Sequence, residues 1–417
     1  MTEPRTKLAA TGSDWPTLRA RMQDLRRGDV DWQHGRAAVY VFNAGEDVLQ
    51  VAREAYGLFQ AENGLGPLAF PSVRSMEEDI VGIGLDLLHG PEGACGNMTS
   101  GGTESILLAV KACRDQAVSR GQDLSRANLV VPYSAHPAFD KACHYFGLEL
   151  RRVPVAPDRR ADVPGMAEAM DPDTLMLVGS APCFPYGLVD PIEALSELAQ
   201  SKDVWLHVDG CVGAYFLPFA RMNGVDVPAF DFELPGVASM SGDLHKYGYA
   251  SKGASTIFHR TEEQREYQIF ECADWPAGHM STPTMAGTRP GGAIASAWAV
   301  VQYLGESGYR EKARQVCAAR EALTEGIERI PELCTYGEPN LSIMLYGSES
   351  LDPFALYGRM LKRGWFSGVV TDPRAIHLML APCHLEVADE YLADLKACVS
   401  EVQDADQTEG GRSARYN

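Results

Sequence analysis

The chain has 417 residues, 45% of them hydrophobic, with a formal net charge of -19 and a sequence pI near 5.0. This length allows two or three domains with a sizeable core. The acidic balance argues against nucleic acid as a partner, because binding it needs clustered lysine and arginine. No apolar run approaches the roughly 20 residues of a membrane span, and residues 1–30 lack the apolar segment of a secretory signal. We therefore expect a cytoplasmic protein with no nucleic-acid partner and no transmembrane segment.

The N-terminal segment is predicted to cover residues 1–60. Residues 1–30 are polar and helical at most, and Ala37–Phe42 is typical of a short extended piece. Between Val48 and Tyr56 the apolar residues recur at spacings of three and four, which predicts a helix.

A large domain is predicted over residues 61–305. It begins with a helix from Ser75 to Leu88, ended by Gly90 and Pro91. Short apolar runs separated by helical stretches then predict a parallel sheet with helices on both faces. The predicted strands are 129–131, 148–153, 175–178, 204–208 and 255–258. A helix from Gly292 to Gly305 ends the domain.

Residues 306–402 are predicted to form a smaller C-terminal α+β domain. Its expected helices and strands are 311–328, 341–346, 352–363, 376–380 and 387–402, and residues 403–417 are expected to be a polar tail. The fold class is therefore α/β, with a mostly parallel sheet in the large domain.

Two residues carry the strongest chemical signal. Lys246 follows His245 after a run of small residues, and Asp209 ends the apolar strand 204–208. A lysine that condenses with an aldehyde and an aspartate that pairs with a pyridine nitrogen are the protein groups that pyridoxal 5'-phosphate requires. Taken singly, Asp209 fits a turn cap, Lys246 a surface lysine and His245 a core histidine. Their order on a parallel sheet favours the cofactor site, because ligands bind at the carboxyl ends of such strands.

The stretch Ser100–Ser105 contains two glycines and leads into a predicted helix. Glycines let the backbone approach a phosphate closely, and the free amides at a helix start favour an anion. An N-capped helix, with Ser100 or Thr103 as the cap, explains the stretch equally well.

The ten cysteines are scattered, and no two have C-x-x-C spacing. We therefore expect no metal site and no redox site. His136 follows the predicted strand 129–131 and could stack on a pyridine ring and transfer protons. Considered alone, a loop histidine before a proline is the favoured interpretation.

The chain resembles the group II pyridoxal-phosphate decarboxylases, and within them the soluble, bacterial type of sphingosine-1-phosphate lyases, from about residue 32 to residue 395. The matching blocks are 99–107, 134–142, 184–191, 207–209, 245–253 and 283–292. The resemblance implies a fold type I, PLP-dependent transferase-like structure with pyridoxal 5'-phosphate as cofactor. It also implies a carbon–carbon lyase that cleaves a long-chain amino alcohol phosphate to a fatty aldehyde and ethanolamine phosphate.

The resemblance also implies roles for residues at the cofactor. Lys246 would attach the cofactor covalently, Asp209 would pair with the pyridine nitrogen, and His136 would stack on the ring. The cofactor phosphate would be held by Gly101, Gly102, Thr103 and His245.

Other implied roles concern the substrate and a second subunit. Tyr40 would assist the proton transfers of cleavage, and Lys252 would contact the phosphate of a phospholipid-derived substrate. The loop Thr288–Gly292, with Gly291 as a cofactor contact, would reach into the neighbouring site of an obligate homodimer.

The sequence departs from the lyases around the substrate. Gly66 replaces a histidine of the lyases, Cys183 and Tyr186 replace a glutamine and a histidine, and Gly210 replaces an alanine. Three alternatives therefore stay open: an amino-acid decarboxylase that uses Arg289 for the carboxylate, another amino-alcohol or β-hydroxy-amino-acid aldolase, and a silent scaffold. The intact lysine argues against the scaffold.

Overall fold

The structure is a computed structural model that describes residues 5–337 and 341–404. Its N-terminal helix α1 (Trp15–Leu25) begins after Asp14, whose carboxylate accepts the Thr17 N–H at 2.9 Å. None of its residues is buried. The predicted helix between Val48 and Tyr56 is confirmed as α2 (Glu46–Leu58).

The expected extended piece Ala37–Phe42 is wrong as a strand. Ala37 makes a single bridge with Phe366, and the chain then bends. The backbone of Tyr40 is left-handed, with φ at 66°, and this conformation interrupts an extended run.

A seven-stranded sheet forms the centre of the large domain. Its strands are β1 (Cys95–Thr99), β2 (Asn128–Pro132), β3 (Glu149–Val153), β4 (Thr174–Ser180), β5 (Trp205–Asp209), β6 (Val237–Gly242) and β7 (Ser255–His259). Their order is β1-β7-β6-β5-β4-β2-β3, and all neighbours are parallel except those that pair with β7. The mostly parallel sheet and all five predicted strands are therefore confirmed.

Strands β1 and β6 were not predicted. The β6 residues Ser239 and Ser241 are polar yet fully buried, because other side chains satisfy their hydroxyl groups. The Trp205 Nε1–H donates to the Ser239 oxygen at 2.7 Å, and the Ser241 hydroxyl donates to Asp209 at 3.2 Å. A buried polar group is tolerated when it is paired in this way.

Helices cover both faces of the sheet. In chain order they are α3 (Pro71–Leu87), α4 (Gly102–Ser119), α5 (Ala138–Phe146), α6 (Val163–Ala169), α7 (Ile192–Lys202), α8 (Leu217–Met222) and α9 (Glu262–Glu266). A short hairpin, β8 (Phe270–Cys272) with β9 (Met280–Thr282), follows. The α3 helix begins four residues before the predicted one.

The long helix α10 (Gly291–Glu328) joins the large sheet to a second, smaller sheet. The predicted helices 292–305 and 311–328 are parts of this one element, which is kinked at Gly305, a residue with φ at 54°. Glycine adopts this conformation without the cost that a Cβ would add.

The smaller sheet has the antiparallel order β10-β11-β13-β12. Its elements are β10 (Cys334–Tyr336), β11 (Ile343–Gly347), α11 (Pro353–Lys362), β12 (Gly368–Thr371), β13 (Arg374–Met379) and α12 (His384–Asp404). The predicted α+β character is confirmed. Of the predicted tail, residues 405–417 lie outside the described residues. Within the described ranges, no helix has the length and apolar character needed to cross a bilayer.

Gly213→Ala is expected to lower the free energy of unfolding by about 1–3 kcal/mol, because the added Cβ overpacks the core. That Cβ would lie 2.1 Å from the backbone oxygen of Ala181. The matched control is Gly57→Ala in α2, where no atom lies within 4 Å of the added Cβ. Since alanine favours a helix, the control is expected to gain about 0.5–1 kcal/mol. Denaturant unfolding measures both, and equal stability of the two variants would contradict the packing argument.

Candidate active site

The candidate site lies where two parallel strands end side by side. Asp209 is the last residue of β5, and it pairs in register with Ser241 near the end of β6. The chain leaves β6 at Gly242, and Asp243, His245 and Lys246 follow in a tight turn. The Lys246 N–H donates to the Asp243 backbone oxygen at 3.2 Å and closes this turn.

Lys246 forms an ion pair with Asp243. Its Nζ lies 3.0 Å from the Asp243 Oδ2, and only 2% of the aspartate side chain is exposed. Burial alone would lower the pKa of Lys246, but the Asp243 carboxylate holds that pKa above its usual value. Burial would likewise raise the pKa of Asp243, which the charges of Lys246 and His245 keep below its usual value. The lysine is therefore held as an ammonium until a ligand or a proton acceptor changes its surroundings.

The glycine turn before α4 faces this ion pair. A Cβ on Gly102 would lie 2.5 Å from the Cys211 Sγ and 2.9 Å from the Asp243 Oδ2, and one on Gly101 would lie 3.7 Å from the His245 Cε1. The N-cap of α4 is Gly101, and no side chain caps the helix. The expectation of a Ser100 or Thr103 cap is therefore wrong. The first amides of an α-helix have no acceptor within the helix, so they are available to an anion.

Two buried polar atoms lie without partners beside this turn. In the described part of the chain, neither the His245 Nδ1 nor the Asp243 Oδ1 has a hydrogen-bond partner. Burial lowers the pKa of His245, so its imidazole is neutral at physiological pH. Such orphaned atoms in a polar recess are expected where a ligand binds. These atoms and the glycine turn fit a phosphate-bearing cofactor.

Asp209 is held by its own turn. Its Oδ1 accepts the Cys211 N–H at 3.1 Å and the Ser241 O–H at 3.2 Å. The turn-capping role considered for Asp209 is thus present. It leaves the Oδ2 out of both contacts, so pairing with a pyridine nitrogen is compatible with the cap and stays a prediction.

His136 lies near both aspartates and Lys246. Burial lowers its pKa, and the charges of Asp209, Lys246 and Asp243 also act on it. The Ala138 N–H donates to the His136 Nδ1 at 3.1 Å. Because that nitrogen must then carry its lone pair, the proton of the neutral ring is on Nε2.

Lys252 lies on the far side of His245. Its Nζ donates to the His245 backbone oxygen at 3.0 Å and lies 5.1 Å from the centroid of the Phe42 ring. Loss of hydration lowers the pKa of Lys252 to about 8, and the charge of Lys246 adds to this effect. The Lys252 side chain is exposed, so its ammonium is accessible to an anion.

The remaining predicted residues lie around this centre. Tyr40 is 43% exposed and its ring centroid lies 6.1 Å from that of Phe366, while Thr103 is exposed in the first turn of α4. Gly291 begins α10, and its N–H donates to the Glu62 backbone oxygen at 2.9 Å. The roles given to Tyr40 and Gly291 stay predictions.

The sequence analysis did not single out Asp243, which lies between the run of small residues and Lys246. The signal was an aspartate three residues before the lysine, a spacing that a turn or helix brings together. Only the path of the chain after β6 shows that the two residues are in contact and that the carboxylate is buried.

Arg289 is already engaged within its own chain. Its Nη1 lies 2.5 Å from the Glu77 Oε1, and its Nη2 donates to the Gly64 backbone oxygen at 3.2 Å. Only 9% of its side chain is exposed. This pairing leaves little of the guanidinium for a substrate carboxylate, so it argues against the decarboxylase alternative.

The positions that depart from the lyases differ in their surroundings. An added Cβ on Gly66 would meet only the Ala69 Cβ, at 3.7 Å, and a cavity of about 220 Å³ lies beside Leu65 and Pro67. By contrast, Cys183 and Tyr186 are buried, and burial raises the pKa of the Cys183 thiol to about 12. The thiol therefore stays neutral.

Known proteins that resemble this chain also bind pyridoxal phosphate or belong to pyridoxal-dependent families. The pyridoxal-dependent decarboxylase conserved domain matches residues 14–345. The chain belongs to this family. Its cofactor is therefore pyridoxal 5'-phosphate, which the recess between the glycine turn and Lys246 fits.

Three individual proteins are similar to this chain in sequence or in structure. A sphingosine-1-phosphate lyase of Oryza sativa is 40% identical over 427 residues, covering 99% of this chain and 78% of the relative. The structure of a sphingosine-1-phosphate lyase of Burkholderia pseudomallei has a TM-score of 0.91 and 37% identity, covering 96% of this chain and 94% of the other. A glutamate decarboxylase of Lactobacillus brevis, with a TM-score of 0.84 and 19% identity, shares the fold.

At pH values below the pKa of Lys246, the rate of cofactor uptake by the apoprotein is expected to rise about tenfold for each unit increase in pH. The reason is that only the neutral amine attacks an aldehyde. Asp243→Asn removes the charge that raises this pKa, so its uptake profile is expected to shift to lower pH. The visible absorbance of the bound cofactor measures the rate. Asp115→Asn, which breaks the Lys111–Asp115 pair in α4, is the control and should leave the profile unchanged. An unshifted profile in Asp243→Asn would contradict the role given to the ion pair.

Proposed function

We propose that this protein is a pyridoxal-phosphate-dependent carbon–carbon lyase that cleaves sphingosine 1-phosphate or a closely related long-chain amino alcohol phosphate. The observation that carries the proposal is a second lysine, Lys252, whose Nζ is fixed on the backbone oxygen of His245, next to the cofactor-binding Lys246. An enzyme that acts on an amine bearing a phosphate needs these two groups: one lysine for the cofactor and another cation for the phosphate. The relatives named as sphingosine-1-phosphate lyases support this substrate class.

The residues of the site divide the work of the reaction. Lys246 would hold the cofactor covalently, and Asp209 would pair with the pyridine nitrogen and favour its protonated form. When bound, pyridoxal phosphate supplies the electron sink that retro-aldol cleavage requires. Lys252 binds the substrate phosphate. The products are a fatty aldehyde and ethanolamine phosphate.

Tyr40 is favoured over His136 for the proton transfers. The His136 Nδ1 already accepts the Ala138 N–H, and its Nε2 carries the proton, so the neutral ring has no free lone pair to act as a base. We therefore assign His136 to stacking on the pyridine ring. The Tyr40 hydroxyl can both accept and donate. Burial raises the pKa of Tyr40, so its hydroxyl stays protonated near neutral pH and is able to donate a proton.

We also infer that the active unit is a homodimer. The α1 helix has no buried residue, and its apolar side chains are exposed, from 39% at Leu18 and 56% at Met22 to 62% at Trp15 and 74% at Leu25. A helix with an uncovered apolar face is expected to be covered by another surface. A second copy of the chain, whose loop Thr288–Gly292 would complete the neighbouring site, supplies such a surface.

An aldolase acting on an unphosphorylated amino alcohol is the second candidate. The observation that favours it is Gly66, which places no side chain where the lyases have a histidine near the substrate phosphate. The two candidates differ in whether Lys252 distinguishes a phosphorylated substrate from its unphosphorylated analogue.

The decisive experiment is a product assay with cofactor-loaded protein and sphinganine 1-phosphate. Mass spectrometry is expected to detect long-chain aldehyde with the native protein and none with Lys246→Ala, because only the native lysine forms the covalent link. The exposed Lys202→Ala variant is the control and should retain full activity. Aldehyde formation that survives in Lys246→Ala would contradict the mechanism, and its absence from the native protein would contradict the proposed substrate.

Lys252→Ala is expected to raise the KM for the phosphorylated substrate by at least about tenfold and to change the KM for the unphosphorylated analogue little, since one charge-assisted contact is lost. In the native enzyme this KM should rise above pH 8, because the lowered pKa means that the ammonium is lost there. Lys252→Arg keeps its charge at that pH and should abolish the rise. An equal increase in KM for both substrates would favour the second candidate, an aldolase that acts on an unphosphorylated amino alcohol.

A further inference from the structure

Glu104 is a buried carboxylate that links the glycine turn to a distant loop. It is the third residue of α4 and is 8% exposed. Its Oε2 accepts the Ser100 N–H at 2.6 Å, and its Oε1 accepts the Met285 N–H at 2.8 Å and the Ala286 N–H at 3.4 Å. Both oxygens are thus occupied by main-chain donors from two separate segments.

The contact with Ser100 differs from an ordinary capping box. In a capping box, the glutamate at this position bonds to the amide of the N-cap residue. Glu104 reaches one residue further back, because the N-cap here is Gly101. The amides of Gly101, Gly102 and Thr103 therefore remain available to an anion, while the amide that precedes them is fixed.

The loop that Glu104 contacts is fixed a second time a few residues later. Arg289 pairs with Glu77, and its Nη1 also donates to the Met98 backbone oxygen at 3.4 Å. Glu77 in turn accepts the Met98 N–H at 2.9 Å. The loop from Met285 to Arg289 is therefore tied at both ends to the segment that forms β1 and the glycine turn.

We propose that Glu104 is a positioning residue, which sets the glycine turn for the cofactor phosphate by fastening it to the loop at Met285 and Ala286. This inference rests on the proposed function, since it takes the turn as the phosphate site. A carboxylate is required because three N–H groups converge on it, and each needs an acceptor. Since the same loop continues into Thr288–Gly292, Glu104 couples the binding of the phosphate to the position of that loop.

The test compares two ligands that differ only in the phosphate. In the full-length Lys246→Ala protein, where covalent attachment is impossible, tryptophan fluorescence measures the dissociation constants of pyridoxal phosphate and pyridoxal. Glu104→Gln replaces one acceptor oxygen with a donor that opposes an N–H group, so binding of pyridoxal phosphate is expected to weaken by about tenfold. Binding of pyridoxal should change less than twofold.

A second variant and a control separate positioning from general damage. Glu104→Asp keeps the charge but is too short to reach both segments, so it should show the same selective loss. Glu193→Gln changes an exposed glutamate in the first turn of α7 and should show none. Thermal unfolding checks that each variant is folded, and amide hydrogen exchange should accelerate at 283–290 in the Glu104 variants alone.

The outcomes distinguish the inference from the function on which it rests. Unchanged binding in the Glu104 variants, or equal losses for both ligands, would overturn the role of Glu104 alone. If the parent protein binds pyridoxal phosphate no more tightly than pyridoxal, the glycine turn holds no phosphate, and the cofactor site itself fails.

Discussion

The ion pair between Lys246 and Asp243 is the interaction on which the site depends. A carboxylate such as that of Asp243 can be buried beyond a strand end only if its charge is matched, and the loss of one partner of a buried pair typically costs about 3–5 kcal/mol. The pair lies 3.0 Å apart in the turn that follows β6. It places the reactive amine between the strand that carries Asp209 and the turn that carries Gly101. The same carboxylate also keeps the amine unreactive until the cofactor arrives.

Groups of opposite charge lie on different sides of this pair. In the proposed site, the start of α4 and His245 would offer donors to a phosphate, while Asp243 and Asp209 would place negative charge toward a cationic amine and a protonated ring. Lys252 extends the positive side beyond His245. The overall charge of -19 therefore says little about the site, because a few buried groups determine the local potential.

Much of this arrangement could be predicted from the sequence, since it follows from strands with continuous apolar runs. Such runs predict where β2, β4 and β5 end, and so where Asp209 lies. Strand β6 escaped prediction because Ser239 and Ser241 are polar by residue type and become buried only through partners on β5. Strand β1 escaped because Gly96 carries no side chain to mark it. A Cβ there would lie 2.5 Å from the Ile257 backbone oxygen.

Contacts that form only when the chain returns over a strand or helix could not be predicted from the sequence. Asp243 is three residues from Lys246, but nothing in the spacing shows that the carboxylate is buried and in contact with the amine. Glu104 and Met285 are far apart in the chain, and their contact needs the loop to return over α4. Tyr40 shows the opposite failure, because the apolar run 37–42 favoured an extended piece that its left-handed backbone interrupts.

Gly305 has a mechanical consequence for the molecule. From this residue to Glu328, helix α10 continues for about 23 residues, or about 35 Å at 1.5 Å per residue. The direction of this segment relative to the first part of α10 is therefore set at a single glycine with φ at 54°. A rotation of about 10° at this glycine would move the far end by about 6 Å, given that length. One backbone torsion thus sets where the helix delivers the chain to the smaller sheet.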